Sequence, residues 1–429
     1  MKLAFKVILL FLIVFNFRIP LVYNSVFVTV ILSTFYYLIT KKSIPFTYFN
    51  YRHNAVIIIA TLMLALVVFT FTTLHEQDIA VTIRRIFVQL SMLLALIYIF
   101  PILLEEIQES NAFEEAMLIV CYTFALQGGI HLAAYFIPAL GDFMISIKPE
   151  GFQEGMAERN INRFRGFALS GSVYFELPSA YGVAFILYIR LQLIEGQKYL
   201  TGYKNYIVLL LIVSGIMLTG RVGFVGIGIG MLLYFLFVKD PIVIVGRIFK
   251  NAIAFSPFII IGWFILLSPS QRTSIENEIF PFALEFYYRF RDTGEIGTSS
   301  SDATFKAFYF PLKDETLLWG HGTDDVYKLL DQYNFTDAGY MRTLMFGGIP
   351  YFICLFIYQF LYFSMPIKAA SWLREKESKK DLYCFLFLFG YILTLHIKDT
   401  ALALQHLTEV LFLYIGFSYL IKYYAKSEK

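Results

Sequence analysis

Charge is scarce in this chain: Asp, Glu, Lys and Arg make up 16% of its 429 residues. A soluble domain carries about 25%, so an ordinary water-exposed surface around a single core is excluded. Cysteine is scarcer still. Cys121, Cys354 and Cys384 all fall inside apolar runs, which argues against a disulfide framework or a zinc site. No Asp-x-Asp triplet is present to hold a divalent metal against a nucleotide diphosphate, and no metal or cofactor is expected. The glycines at 223, 226, 228 and 230 lack the preceding strand and the Lys-Ser/Thr ending of a phosphate-binding loop. A net charge of +3 says little by itself, and no nucleic-acid partner is expected.

What is there is apolar. Hydrophobic residues make up 58% of the chain and its mean hydropathy is +0.65. They come in runs of about 18–22 residues, the length a helix needs to cross about 30 Å of hydrocarbon. The expectation is an all-α polytopic membrane protein, 1–429 forming a single transmembrane domain. It has about twelve spans, at 3–17, 19–39, 54–74, 79–103, 116–138, 173–194, 205–219, 222–238, 251–267, 342–364, 382–397 and 400–421. The first apolar run lacks a small-residue cleavage site and reads as a retained span.

The connecting segments alternate in composition. One set, with both termini and the 365–381 loop, holds fifteen of the twenty lysines, the mark of the cytoplasmic side. The other set comprises short turns, the 139–172 loop and a large loop at 268–341. It holds Arg18, Arg84, Arg85, Arg159, Arg163, Arg165, Arg221, Arg272, Arg289, Arg291 and Arg342, eleven of the fifteen arginines. Lysine alone would satisfy a topology signal. Arginine on the disfavoured side calls for another reason, and its planar fork of donors suits phosphate or carboxylate. Headgroup contacts and loop ion pairs account for any single one of them equally well.

Three stretches could carry chemistry. Arg159, Arg163 and Arg165 lie just before a span, with Gly166 allowing close backbone approach and Glu176 a little further on; a basic interfacial turn is the plainer alternative. Arg221 lies in Thr219-Gly220-Arg221, between two spans with no room for a loop, where an ionisable residue must find a partner. Small residues after it would let another helix pack closely. The third stretch is the large loop. Thr273-Ser274-Ile275-Glu276 fits a capping box. Ile275, Ile279, Phe282, Phe286 and Phe290 then follow an amphipathic spacing, with Pro281 as a kink, so the loop should lie over the bundle. A second short helix is expected at Ser299–Phe310. Gly320-His321-Gly322 reads as a turn exposing an imidazole, and Asp337 falls where the tenth span would be capped.

These motifs together resemble the bacterial O-antigen and capsule repeat-unit polymerases (Wzy type), within the wider group that includes the O-antigen ligases. The resemblance rests on Arg165-Gly166-Phe167 before a span, Thr219-Gly220-Arg221 between spans, and a large loop. That loop ends in Leu318-Trp319-Gly320-His321-Gly322, then Asp337-Ala338-Gly339-Tyr340, with Gly347-Gly348-Ile349 at the next span. It implies a metal-independent glycosyltransferase on the outer face of the bacterial cytoplasmic membrane, with both termini inside. Donor and acceptor would be oligosaccharides on undecaprenyl diphosphate. Membrane lipids, a chain-length regulator and a flippase are the implied partners. Arg165, Arg221, Arg342, Arg163 and Arg159 would hold the diphosphate. His321, Asp337 and Glu176 are the candidate bases, and Arg289, Arg291, Trp319 and Tyr340 the glycan or lid residues. The ligase-like His-Asn stretch is replaced here by Asn334 to Tyr340, which favours polymerase over ligase. A lipid-linked glycan flippase or transporter is the further alternative.

Overall fold

The computed structural model describes residues 2–17, 19, 24–41, 52–105, 107–147, 169, 175–194, 200–238, 267–295, 297–323, 333, 336–373, 375–404 and 406–427. Among these, every regular element is helical. The first six helices are α1 (Lys2–Phe15), α2 (Ser25–Tyr36), α3 (Arg52–Leu74), α4 (Ile79–Leu104), α5 (Ala112–Phe136) and α6 (Pro138–Ser146). Then come α7 (Glu176–Gln192), α8 (Gly202–Thr219) and α9 (Val222–Phe237). The large loop holds α10 (Pro269–Ser274), α11 (Phe280–Ala283), α12 (Glu285–Thr293), α13 (Ser299–Ala307) and α14 (Asp314–Trp319). The chain finishes with α15 (Gly339–Leu373), α16 (Lys376–Leu395) and α17 (His406–Ser427).

Among the described residues, five helices are long and apolar enough to cross a membrane: His53–Leu74, Ile79–Leu104, Glu109–Phe136, Gly202–Thr219 and Gly339–Leu373. Leu3–Phe15, Ser25–Thr40 and Val222–Phe237 are apolar but shorter. The expected span at 251–267 lies almost wholly outside the described residues. The expected span at 400–421 starts late, at His406, because the chain before it is unwound. Ala401 to Leu404 are buried without helical backbone, and Leu402 and Leu404 take positive φ of 50° and 57°.

The bundle is organised around α7, which is buried from Glu176 to Leu191. Close packing on α7 depends on small residues. A side chain at Gly226 of α9 would run into the backbone of Gly182, so the glycines after Arg221 let α9 lie directly against α7. On α3, by contrast, Ile59, Leu62, Met63 and Leu66 are exposed, the apolar surface that a lipid-facing helix presents.

One end of the bundle is tied by buried charge. Arg190 is fully buried, and its Nε donates to Asp381 at 2.8 Å while Nη2 donates to Glu377 at 2.9 Å. Lys380 donates to Glu377 and to the Leu193 carbonyl, both at 2.6 Å. Lys422 reaches Glu114 and, at 3.4 Å, Asp381. Three cations and three carboxylates thus join α5, α7, α16 and α17. Buried ions hold together only when paired.

The large loop packs onto the bundle. Ile275, Ile279 and Ala283 are buried, the first two in the main core. The capping box is at Ser268 and Gln271, not at Thr273, because Pro269 suits the first helical position and Ser268 precedes it. A widened turn at Ile275–Ile279 precedes Pro281, which cannot donate a helical hydrogen bond. The expected amphipathic face also ends early. The helix breaks at Leu284 (φ −110°, ψ 27°), which rotates Phe286 and Phe290 into exposed positions. The second short helix is there as α13, with Thr298 and Ser301 as its capping box.

Replacing Arg190 with Leu leaves Asp381, deep in the interior, with only Lys422 at 3.4 Å to pair it. A loss of about 3–5 kcal/mol is expected, read as a lower unfolding temperature in detergent, and Arg190→Leu/Asp381→Leu should recover much of it. An unchanged unfolding temperature for Arg190→Leu would show that this network does not hold the helices together.

Candidate functional site

The loop is seated where α15 breaks. Gly347 (φ −145°, ψ 24°) and Gly348 (φ 61°, ψ −160°) leave helical geometry. Pro350 has no N–H, so the Phe346 carbonyl four residues earlier loses its helical donor. The loop supplies the missing donors. His321 N–H donates to the Met345 carbonyl and Gly322 N–H to the Phe346 carbonyl, each at 2.7 Å. A side chain at Gly320 would strike the Phe346–Gly347 backbone, and one at Gly348 would strike Leu318. Both glycines also have positive φ, at 67° and 61°. Leu-Trp-Gly-His-Gly and Gly-Gly-Ile-Pro are therefore two halves of one joint.

This joint fixes His321. Its Nε2 lies 3.1 Å from the Thr316 hydroxyl, which itself lies 2.6 Å from the Tyr333 hydroxyl. The imidazole is half-buried, not an exposed turn side chain. Burial, with His75 and Lys313 nearby, holds it below its ordinary value, while Glu315 opposes the shift. His75 Nε2 lies 3.2 Å from the Trp319 carbonyl, which brings the end of α3 to the same joint.

A second constellation lies at the start of α15. The segment from His396 to Thr400 leaves α16 and passes close to it. A side chain at Gly339 would collide with the Asp399–Thr400 backbone, and Tyr340 N–H donates to the His396 carbonyl at 3.1 Å. That approach sets Arg342 Nη1 at 2.8 Å from Asp399, whose carboxylate also receives Thr400 N–H at 2.7 Å. Burial raises the Asp399 carboxyl, and Arg342 offsets the shift. Asp337 is not the cap of α15, which starts two residues later. Thr336 takes the local role, accepting Ala338 N–H at 3.1 Å. Asp337 is instead a charge neighbour of Lys398 and Asp399.

Arg221, in the turn between α8 and α9, approaches from the other side. It pairs with Glu285 at the start of α12 and lies over the Phe282 ring at 5.2 Å. Glu285 also accepts Ser299 N–H at 2.6 Å, which links α12 to α13. Arg221 is a charge neighbour of Lys398. Arg221, Arg342 and Lys398 thus converge with Glu285, Asp399 and Asp337. Lys398 and Asp399 are additions to the residues singled out from sequence; their signal was charge in a short break between two apolar runs.

The other sequence candidates divide. Arg159, Arg163 and Arg165 lie outside the described residues. Arg289 is held by Glu295 and Asp302, both at 2.7 Å, and Arg291 by Asp292 at 2.7 Å. Trp319 is exposed, and Tyr340 donates its hydroxyl to the Leu393 carbonyl at 2.7 Å. Glu176 is buried at the start of α7 and accepts Leu407 N–H at 2.6 Å. Beside it, Glu409 accepts Leu404 N–H at 2.7 Å and the Tyr358 hydroxyl at 3.2 Å. Neither Glu176 nor His321 makes a hydrogen bond or ion pair with the three converging cations. No family model and no curated protein matches the chain.

Gly348→Ala should unseat the 317–322 turn, read as at least tenfold faster proteolysis of the loop in an otherwise folded protein; an unchanged cleavage rate would refute the joint. A pH dependence is expected too. The seated loop favours neutral His321, whereas the released loop binds its proton at the ordinary value of 6.5. Seating is therefore complete above that pH and weakens as pH falls below it toward the depressed value. His321→Gln should flatten this pH dependence of proteolysis.

Proposed function

We propose that this chain is a membrane glycosyltransferase that polymerises lipid-diphosphate-linked repeat units. What carries the proposal is the convergence of Arg221, Arg342 and Lys398 at one end of the bundle, with Asp337 beside them. In this reading the protein crosses the bacterial cytoplasmic membrane twelve times, has both termini inside, and holds this end outside. The donor is an oligosaccharide on undecaprenyl diphosphate and the acceptor another lipid-linked repeat unit.

The chemistry follows from the residue types. The Asp337 carboxylate takes the proton of an acceptor hydroxyl. The acceptor oxygen forms a bond to the anomeric carbon of the donor, and the bond from that carbon to the diphosphate oxygen breaks. The leaving diphosphate takes the electron pair, and arginines fixed before the reaction stabilise that charge. Arg221 and Arg342 are only partly exposed, at 24% and 21%, so a phosphate beside them is partly screened from water. Each is neutralised by a carboxylate, and phosphate would exchange with that partner.

A second reading draws on the buried pair Glu176 and Glu409. Buried carboxylates inside a helical bundle are also what a transporter or flippase uses. A ligase is the third reading, and its product would be glycan moved to a different acceptor.

Arg221→Ala and Arg342→Ala should each lower chain extension about 10²–10³-fold. Asp337→Asn should lower it about 10²–10⁴-fold. The measurement is polymer length in a deletion strain carrying each variant, with the protein level in the membrane checked. Long polymer from all three would overturn the proposal. Single repeat units retained on the inner leaflet of the null strain would favour the flippase reading.

A further inference from the structure

Lys398 differs from the cations around it. Arg221 and Arg342 each have a carboxylate in contact, whereas Lys398 Nζ donates to the Ser300 hydroxyl at 2.5 Å and lies over the Phe308 ring at 5.6 Å. A hydroxyl and an aromatic face do not neutralise an ammonium. Its charge neighbours Asp337 and Asp399 make no ion pair with it, and Asp399 is already engaged by Arg342 and Thr400. Burial pushes the ammonium below its ordinary value; Asp337 and Asp399 oppose the shift, Arg221 adds to it, and the desolvation cost is only partly offset.

We propose that Lys398 is a direct phosphate ligand, taking the diphosphate of a polyprenyl-linked substrate between itself and Arg221. This rests on the reading of the chain as a transferase of lipid-diphosphate-linked glycans, and it adds to that reading the residue whose charge is open to the ligand. Three features support it. Like charges are costly to gather, yet Lys398 and Arg221 are neighbours; a dianionic group between them removes the repulsion. The ammonium has three protons, and the Ser300 hydroxyl uses one, which leaves two for phosphate oxygens. Ser300 and Phe308 belong to the large loop, so the loop orients Lys398 while the His396–Thr400 segment anchors it.

The experiment uses the full-length chain in detergent and measures binding of farnesyl diphosphate and of farnesol, a probe pair differing in the diphosphate. The wild type should bind the diphosphate at least tenfold more tightly than the alcohol. Lys398→Gln should lose most of that difference without changing alcohol binding, and Lys398→Arg should keep part of it. Ser300→Ala, which leaves the charge but removes its tether, should lose a few-fold and guards against misfolding of the lysine variants. Diphosphate binding by Lys398→Gln equal to the wild type, with Arg221→Gln defective, would overturn the role of Lys398 and leave the transferase reading standing. A wild type that does not prefer the diphosphate would overturn the anion site itself.

Discussion

Inside an apolar bundle, a peptide group freed by a helix break must find a partner, and this chain breaks its helices at two consequential places. At Gly347–Gly348 the freed carbonyls of Met345 and Phe346 take N–H donors from the loop. At 401–404 the freed groups are taken by side chains. Gln359 donates to the Ala401 carbonyl at 2.8 Å, and Glu409 and Glu176 receive the N–H groups of Leu404 and Leu407. The large loop and the buried polar residues are therefore both consequences of one requirement. It also gives Glu176 a structural duty, at some distance in role from the catalytic one that its position in the sequence suggested.

Charge is handled differently at the two ends. Around Arg190 every ion but Glu377 is buried or nearly so, and removing Arg190, Asp381 or Lys422 leaves a charge short of its partner in a medium that cannot solvate it. That end is fixed. Around Arg221 and Arg342 the pairs keep about a fifth to a quarter of their surface open, so exchanging one anion for another costs far less. The difference in burial, not in residue type, separates Arg190, which locks helices, from Arg221 and Arg342, whose pairs stay partly open.

Helix positions were largely legible in the sequence because apolar runs have few alternatives to a helix. The breaks were not. The late start of α17 at His406 depends on Gln359 and Glu409 taking up backbone groups, contacts between residues far apart in the chain. Pro350 lies near a span end, a common place for proline, yet its missing N–H helps to create the loop's seat. The glycine pairs at 320–322 and 347–348 were visible as motifs, but their mutual fit exists only in three dimensions. For the site, Arg221 and Arg342 were legible as arginines in a disfavoured setting. Lys398 is one charged residue in a short break between apolar runs, and only its hydroxyl partner and its paired neighbours distinguish it.

The loop is held at two points of different strength, and this bears on what it can do. At 317–322 it is bonded through peptide groups to α15 and wedged between glycines, so movement there would leave carbonyls unsatisfied. At 285–309 it is held by side chains: Glu285 to Arg221, Ser300 to Lys398, and the Tyr309 hydroxyl to the Ile397 carbonyl at 3.2 Å. A phosphate that replaced Glu285 on Arg221 would loosen only the tie of α12, since the Ser300 contact to Lys398 is kept. Such a change would leave the far end seated on α15. A free lid would expose the whole face at once. A strap fixed at the α15 break exposes only the side where Arg221 and Lys398 lie.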